Sequence, residues 1–308
     1  MLEKKINTAK YFIEKNIDFF QCPICGSSFA IKNYSVVCEN NHTYDISKKG
    51  YINLFNGQTK ITKTYDKPLF AARKTVSDCG LYNILCENIV QIINKINKGA
   101  GMILDAGCGG GNVTFDIFKN LACKSFFALD LSKDGIDFAA ANFFGSKNYD
   151  NHDNEKNLLW IVGNLNNLPF KDKKFDVVLN ILSPANHSEF KRVLNRGGKI
   201  VKVLLESDYL KELRRFIYRE NDHNEYSNKD VLDNIEQNMN ITDILDVYYT
   251  HTVSGAAVSA IFDMTPLTSN IASIDKTRNQ IRGEFLEQYK NRNFDVTLAF
   301  KIITGTYE

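Results

Sequence analysis

The chain has 308 residues, enough for one large domain and a small one. Charged residues make up 24% and the apolar set 44%, an ordinary globular composition. The net charge of +2 excludes a polycation, so any nucleic-acid surface must be a local patch. No apolar run approaches the length of a membrane span.

The elements follow in chain order. Residues 1–20 mix Glu3, Lys4, Lys5 and Glu14 with apolar positions, which is not a secretory signal. Leu2, Ile6, Ala9, Ile13 and Ile17 recur at helical spacing and predict a short amphipathic helix, read as an N-terminal extension. Residues 21–56 are short, turn-rich and aromatic, too few to bury a core unaided. They hold Cys22, Cys25, Cys38 and His42 in a C-x2-C-x12-C-x3-H pattern. Paired thiolates on one knuckle, joined by a thiolate and an imidazole, suit tetrahedral zinc. All four positions come from protein, so the site is expected to be structural, with no activated water. The chain holds seven cysteines, an odd count, and Cys79, Cys86 and Cys123 show no such pairing. Disulfides are therefore not expected, and the reading is a reducing, cytoplasmic compartment.

Residues 57–98 read as a polar, basic connector and a helix. Between positions 43 and 80, Lys48, Lys49, Lys60, Lys63, Lys67, Arg73 and Lys74 outnumber Asp45, Asp66 and Asp78 by four charges. Leu81, Ile84, Leu85, Ile89, Ile92 and Ile93 place a helix over 80–97.

From residue 99 to 308 the pattern is that of a second domain. Strands are predicted over 102–105, 125–130, 158–162, 175–179 and, after a turn at 195–198, over 199–205. Helices fall over 113–120, 133–143 and 210–218, and a polar loop over 145–157. This succession predicts an α/β fold, doubly wound around a mostly parallel sheet. Two late runs, 257–262 and 296–303, also read as strands.

Between the first strand and its helix lies Asp105-Ala106-Gly107-Cys108-Gly109-Gly110-Gly111. Glycine lets a ligand approach the backbone, and the helix N-terminus accepts a negative group. The nicotinamide fingerprint G-x-G-x-x-G is not met, because Asn112 stands at its last position. Asp130 ends the second strand and offers two oxygens to a ribose. The alternative is that it caps the next helix, for which Ser132 is the better residue.

The glycine turn, Asp130, Leu168-Pro169-Phe170 and Val193-Leu194-Asn195-Arg196-Gly197-Gly198 together resemble the class I S-adenosylmethionine-dependent methyltransferases over about residues 100–205. That resemblance implies that Asp105, Gly107, Cys108, Gly109, Gly111 and Asn112 surround the methionine part of S-adenosylmethionine. It puts the ribose on Asp130 beside Leu131, and Asn164 and Leu165 near the adenine. The loop after the fourth strand would receive the acceptor, with Asn180 and Ser183 bonding its edge and Pro184 shaping the pocket. His187 follows that loop and reads more readily as structural than as a proton acceptor.

A narrower resemblance runs from about residue 21 to the C-terminus. His42-Thr43-Tyr44-Asp45, Gly50-Tyr51-Ile52-Asn53-Leu54, Ala71-Ala72-Arg73-Lys74, Gly80-Leu81-Tyr82, Ile181-Leu182-Ser183-Pro184, Tyr209-Leu210-Lys211-Glu212-Leu213 and Met264-Thr265-Pro266 are similar to the RlmA-type methyltransferases of 23S ribosomal RNA. These methylate N1 of a guanine, and relatives of this type look like homodimers. The resemblance makes residues 21–56 a zinc-binding RNA-recognition module and 23S ribosomal RNA the partner, with no membrane. Lys48, Lys49, Lys60, Lys63, Arg73 and Lys74 then supply phosphate contacts, or else form a solvated face. Tyr44, Tyr51 and Phe55 either stack on bases or fill a small core around the metal, the second being favoured. Two departures stand out. Gly110 replaces the acid usual in relatives, and Met264-Thr265-Pro266 continues as Leu267-Thr268-Ser269 in place of aromatic and Trp-Arg residues. The alternatives are a small-molecule methyltransferase with a zinc module and a non-catalytic RNA-binding or ribosome-assembly protein.

Overall fold

The computed structural model describes residues 2–57, 66–97, 101–143, 157–218, 227–268 and 277–307. Lys60 and Lys63 lie outside them, as does the loop expected over 145–157 except Asn157, which opens a strand.

Helix α1 (Leu2–Lys15) leads into three short strands, β1 (Phe29–Lys32), β2 (Ser35–Cys38) and β3 (Thr43–Asp45). These form a small antiparallel sheet. Strand β4 (Tyr51–Asn53) leaves it and pairs in parallel with a strand of the large sheet. Helices α2 (Lys67–Asp78) and α3 (Asn83–Asn97) follow. Residues 67–75, read as connector, begin α2 because Asp66 caps it, accepting from Leu69 N at 3.1 Å, and Pro68 suits the first turn.

The alternating segment then runs β5 (Met102–Ala106), α4 (Asn112–Asn120), β6 (Ser125–Asp130), α5 (Lys133–Asn142), β7 (Asn157–Val162), β8 (Phe175–Ile181), α6 (His187–Val193) and β9 (Leu194–Leu205). The turn expected at 195–198 is instead an irregularity inside β9, where its register against β8 slips and Gly197 takes φ +79°. Beyond β9 come α7 (Lys211–Tyr218), α8 (Lys229–Asn238), β10 (Asn240–Val253), α9 (Ala256–Asp263), α10 (Arg278–Gln288) and β11 (Phe294–Thr306).

Residues 257–262, expected as a strand, are helix α9. Ala257, Val258, Ala260, Ile261 and Phe262 are all buried. A short apolar run without alternation does not separate a buried strand from a buried helix.

The large sheet has the order β10-β11-β9-β8-β5-β6-β7-β4, parallel from β9 to β4 and antiparallel at β10 and β11. The chain steps outward from β5 through β6 to β7, then returns to β8 on the other side. Order therefore reverses between β5 and β8, and the crevice at their carboxyl ends is the expected ligand position.

Alternation along each strand feeds two cores. On one face Ile103, Phe126, Trp160, Leu179 and Val201 meet Leu85 and Ile89 of α3. On the other, Leu104, Phe127, Ile161 and Val178 meet Phe12 of α1 and Phe190 of α6. Phe127 takes Phe12, Phe20, Phe170 and Phe175 edge-on, at centroid distances of 5.0, 5.8, 5.6 and 5.3 Å. Residues 2–20 thus plug one face of the sheet, and deleting them would bare a fully buried aromatic cluster. No helix among the described residues is long and apolar enough to cross a membrane.

Candidate functional site

Cys22 and Cys25 sit on a turn closed by Gly26 N donating to Cys22 O at 2.8 Å, with Gly26 at φ +73°. Cys38 ends β2, and its N donates to His42 O at 3.0 Å across a turn that puts Asn41 at φ +62°. These two turns bring the three Sγ atoms and the imidazole together, all ligand atoms within 4.8 Å of one another. Cys25 Sγ lies 3.7 Å from Cys38 Sγ, and His42 Nδ1 lies 3.5 and 3.3 Å from Cys22 and Cys38. Tetrahedral zinc with Zn–S bonds of ~2.3 Å requires ligand separations of roughly 3.8 Å, so the residues fit that metal. Further donors neutralise the sulfurs. His42 N points at Cys38 Sγ from 3.3 Å, Ser27 Oγ lies 3.0 Å from Cys25 Sγ, and Tyr44 OH lies 3.8 Å from Cys22 Sγ. Tyr44 is therefore core beneath the cluster, edge-on to Phe29, and Tyr51 is equally buried, so neither offers a ring for stacking.

The glycine turn occupies the crevice between β5 and β8. Gly107, Gly109 and Gly111 take φ of +99°, +56° and +78°, which L side chains disfavour. Gly107 N and Cys108 N both donate to Leu129 O, at 2.8 and 3.1 Å, fastening the turn to β6. Gly109 N donates to Asp130 Oδ2 at 2.8 Å and Ser132 N to Asp130 Oδ1 at 2.7 Å. The cap of α5 is Ser132, which accepts from Gly135 N at 3.0 Å, so Asp130 is free of that task. Burial raises the Asp130 pKa.

Asp105 is 1% exposed. Its Oδ2 accepts from Thr114 Oγ1 at 2.7 Å, but Oδ1 has no partner among the described residues, and neither does the buried Asn112 Oδ1. Burial pushes the Asp105 carboxyl up to about 7, partly opposed by the Thr114 bond and reinforced by the charge of Asp130. Two orphaned buried acceptors beside a backbone cradle call for a ligand that brings donors. The amine and hydroxyls of S-adenosylmethionine fit that need.

Gly107, Ser183 and Leu165 converge. A Cβ on Gly107 would stand 2.0 Å from Ser183 Oγ and 3.8 Å from Leu165 Cδ1. Leu131 is 40% exposed next to Asp130, and Asn164 Oδ1 accepts from Asn166 N at 3.0 Å, bracing its own turn. Gly111 also has a packing role. Its Cβ would stand 2.6 Å from Trp160 and 2.8 Å from Ala139, so its lack of a side chain serves packing at the start of α4.

Asn180 lies at the base of the loop. It is fully buried, and its Nδ2 donates to Ala106 O at 2.6 Å and Pro184 O at 3.1 Å. Its Oδ1 accepts from Lys202 Nζ at 2.6 Å. Both amide hydrogens and one lone pair of Oδ1 are thus engaged, and Asn180 braces the loop. Lys202, which the sequence reading missed, lies directly across from Asn180 in β9, is 3% exposed, and also donates to Ser183 O. Burial drives its pKa down to about 8. A lysine inside an otherwise apolar strand run, Ile200 to Leu205, was the available signal. His187 Nδ1 meets Tyr307 OH at 2.8 Å and Nε2 meets Asn234 Oδ1 at 2.9 Å, so both ring nitrogens serve the structure.

Helix α2 lies over the turn. Phe70 rests on Gly110 and Gly135, where a Cβ would stand 2.7 and 2.9 Å from its ring. That contact explains glycine at 110, since any side chain there would displace the ring. Arg73 points inward, its Nε donating to Met264 O at 3.2 Å. Tyr82 OH meets Tyr209 OH at 3.1 Å and Met264 Sδ at 3.6 Å. Four segments distant in sequence thus meet above the crevice. Lys49 pairs instead with Asp137, and Lys74 with Asp78 at 2.7 Å.

Comparison with known proteins agrees with both halves. The zinc-ribbon family described as RlmA, N-terminal, matches residues 20–63, and the family described as Methyltransferase domain matches residues 103–202. A Bacillus subtilis protein named "Putative 23S rRNA (guanine-N(1)-)-methyltransferase YxjB" is 36% identical over 306 residues, covering 95% of this chain and 99% of that protein. A Streptomyces fradiae protein named "23S rRNA (guanine(748)-N(1))-methyltransferase" is 29% identical over 206 residues, covering 65% of this chain and 69% of that protein.

Proposed function

Because the chain belongs to the 23S rRNA (guanine-N1)-methyltransferase family, we propose that it transfers a methyl group from S-adenosylmethionine to N1 of a guanine in 23S ribosomal RNA. The observation that carries this is 36% identity across a match that covers 95% of the chain and spans both the Cys/His cluster and the glycine turn. Acting on ribosomal RNA, the protein would work in the cytoplasm.

In this reading Cys22, Cys25, Cys38 and His42 hold a structural zinc. The metal fixes β1–β3 as a recognition surface, since these strands are too short to be stable alone. Gly107, Cys108 and Gly109 form the cradle of the cofactor. The unpartnered Asp105 Oδ1 and Asn112 Oδ1 accept from its donors. Asp130 uses the remaining lone pairs of its two oxygens on the ribose. Leu131 and Leu165 give the adenine apolar walls, with Asn164 alongside. When bound, the sulfonium supplies an already activated methyl group. What remains for the protein is placement. Ser183 and Pro184 face the acceptor, while Asn180 and Lys202 fix the loop that carries them. A guanine within a stem must be extruded before its N1 comes within reach.

The test is transfer of labelled methyl from S-adenosylmethionine to unmodified 23S ribosomal RNA by the purified chain. The reading predicts label in the RNA. Label found only on a small acceptor, or cofactor bound without turnover on any RNA, contradicts it.

A further inference from the structure

We propose that Arg73 holds the carboxylate at the methionine end of the cofactor. This rests on the methyltransferase reading above and adds to it a residue that composition alone assigns to RNA phosphates.

The placement of α2 supplies the argument. Phe70 fixes the helix on the glycine turn by seating its ring on Gly110 and Gly135. Arg73, three residues on, lies on the same helix face. Its Nε bond to Met264 O, at 3.2 Å, orients the guanidinium. Nη1 then comes to 3.9 Å from where a Cβ on Gly109 would stand, so the guanidinium lies beside the turn. The positive charge is felt by Asp130 at the crevice and by the buried Tyr82 and Tyr209. The neighbouring Lys74 turns the other way, to Asp78.

Charge matching completes it. The amino-acid end of the cofactor carries an amine and a carboxylate. Asp105 Oδ1 and Asn112 Oδ1 are acceptors and suit the amine. A carboxylate needs a donor fork, and guanidinium is the group that meets both its oxygens at once. An RNA phosphate would require the same group to face outward from the turn.

The experiment is calorimetry on the full-length protein with two probes, S-adenosylmethionine and decarboxylated S-adenosylmethionine, which keeps the amine and lacks the carboxylate. Wild type is expected to prefer the first by roughly 30-fold, the scale of one charge-assisted bidentate contact. Arg73→Met should bind both probes within roughly 3-fold of each other. Arg73→Lys keeps the charge without the fork and should retain part of the preference, which keeps the proposal testable should Arg73→Met not fold. A full preference in Arg73→Met, equal weakening of both probes, or a raised KM for RNA with the preference intact each overturns it. Wild type that binds neither probe overturns the methyltransferase reading as well.

Discussion

The cysteine cluster and the glycine turn are both built on tight turns with left-handed residues, yet they end in opposite states. At the cluster, every ligand atom faces the others, and outer hydrogen bonds from His42 N, Ser27 and Tyr44 complete the shell. At the turn, Asp105 Oδ1 and Asn112 Oδ1 are buried with no partner among the described residues. A closed donor set marks a structural site, and orphaned acceptors mark a site that awaits a ligand.

The largest expected effect is loss of the closed set. Purified protein should carry about one zinc per chain, and Cys38→Ser should remove it. Zinc supplies ~10 kcal/mol or more to small metal modules, so β1–β3 should lose hydrogen-exchange protection while the large sheet keeps its own. Equal protection in both regions after metal loss would erase the contrast between them.

Next comes Gly107→Ala. The added methyl needs φ +99° and stands 2.0 Å from Ser183 Oγ. Strain and overpacking together should cost on the order of 5 kcal/mol in urea unfolding. Cofactor binding should vanish with it. A variant that stays as stable as wild type would show the loop to be softer than its hydrogen bonds imply.

The third effect sharpens the open side. The folded Asp105 pKa, about 7, lies above the ordinary carboxyl value of 3.8. Between these values the native state holds the extra proton, so stability falls as pH rises through that window and levels off above it. The ceiling is roughly 4 kcal/mol. Asp105→Asn should flatten the fall when denaturation midpoints are compared from pH 4 to 7. A cationic donor bound at Oδ1 favours the ionised form, so wild type should release protons on binding cofactor below pH 7, and Asp105→Asn should not.

The smallest effect concerns Lys202, shifted from 10.5 down to about 8. Here the unfolded state holds the extra proton between those values, so stability rises with pH across that window. The gain is bounded at roughly 3 kcal/mol. The difference between wild type and Lys202→Met should track that rise. A difference that stays flat would mean that the amine is solvated.

The parts of this molecule legible in the sequence are those set by local spacing. The knuckle follows from four residues and two turns. The strands β5 to β9 follow from apolar runs broken by glycine and polar turns. Ser132 as a cap needed only the next helix. What escaped depends on partners far along the chain. Asn180 reads as a free amide until Lys202 is seen opposite it. Arg73 reads as one more exposed cation until Phe70 and Met264 turn it inward. Helix α9 has only Ser259 and Asp263 as polar positions, too few to show its period, and it packs against α2. Strand β10 is the reverse case, an edge strand whose first half exposes Ile244 and Leu245, so that the alternation of inward Val247, Tyr249, His251 and Val253 begins only halfway along it.

The most direct test of the account is the identity of the labelled nucleoside after full-length protein, labelled S-adenosylmethionine and unmodified 23S ribosomal RNA are incubated and the RNA is digested for mass spectrometry. The account predicts 1-methylguanosine from a single position, abolished by Gly107→Ala. Label on another base, on another atom of guanine, or nowhere in the RNA would contradict it.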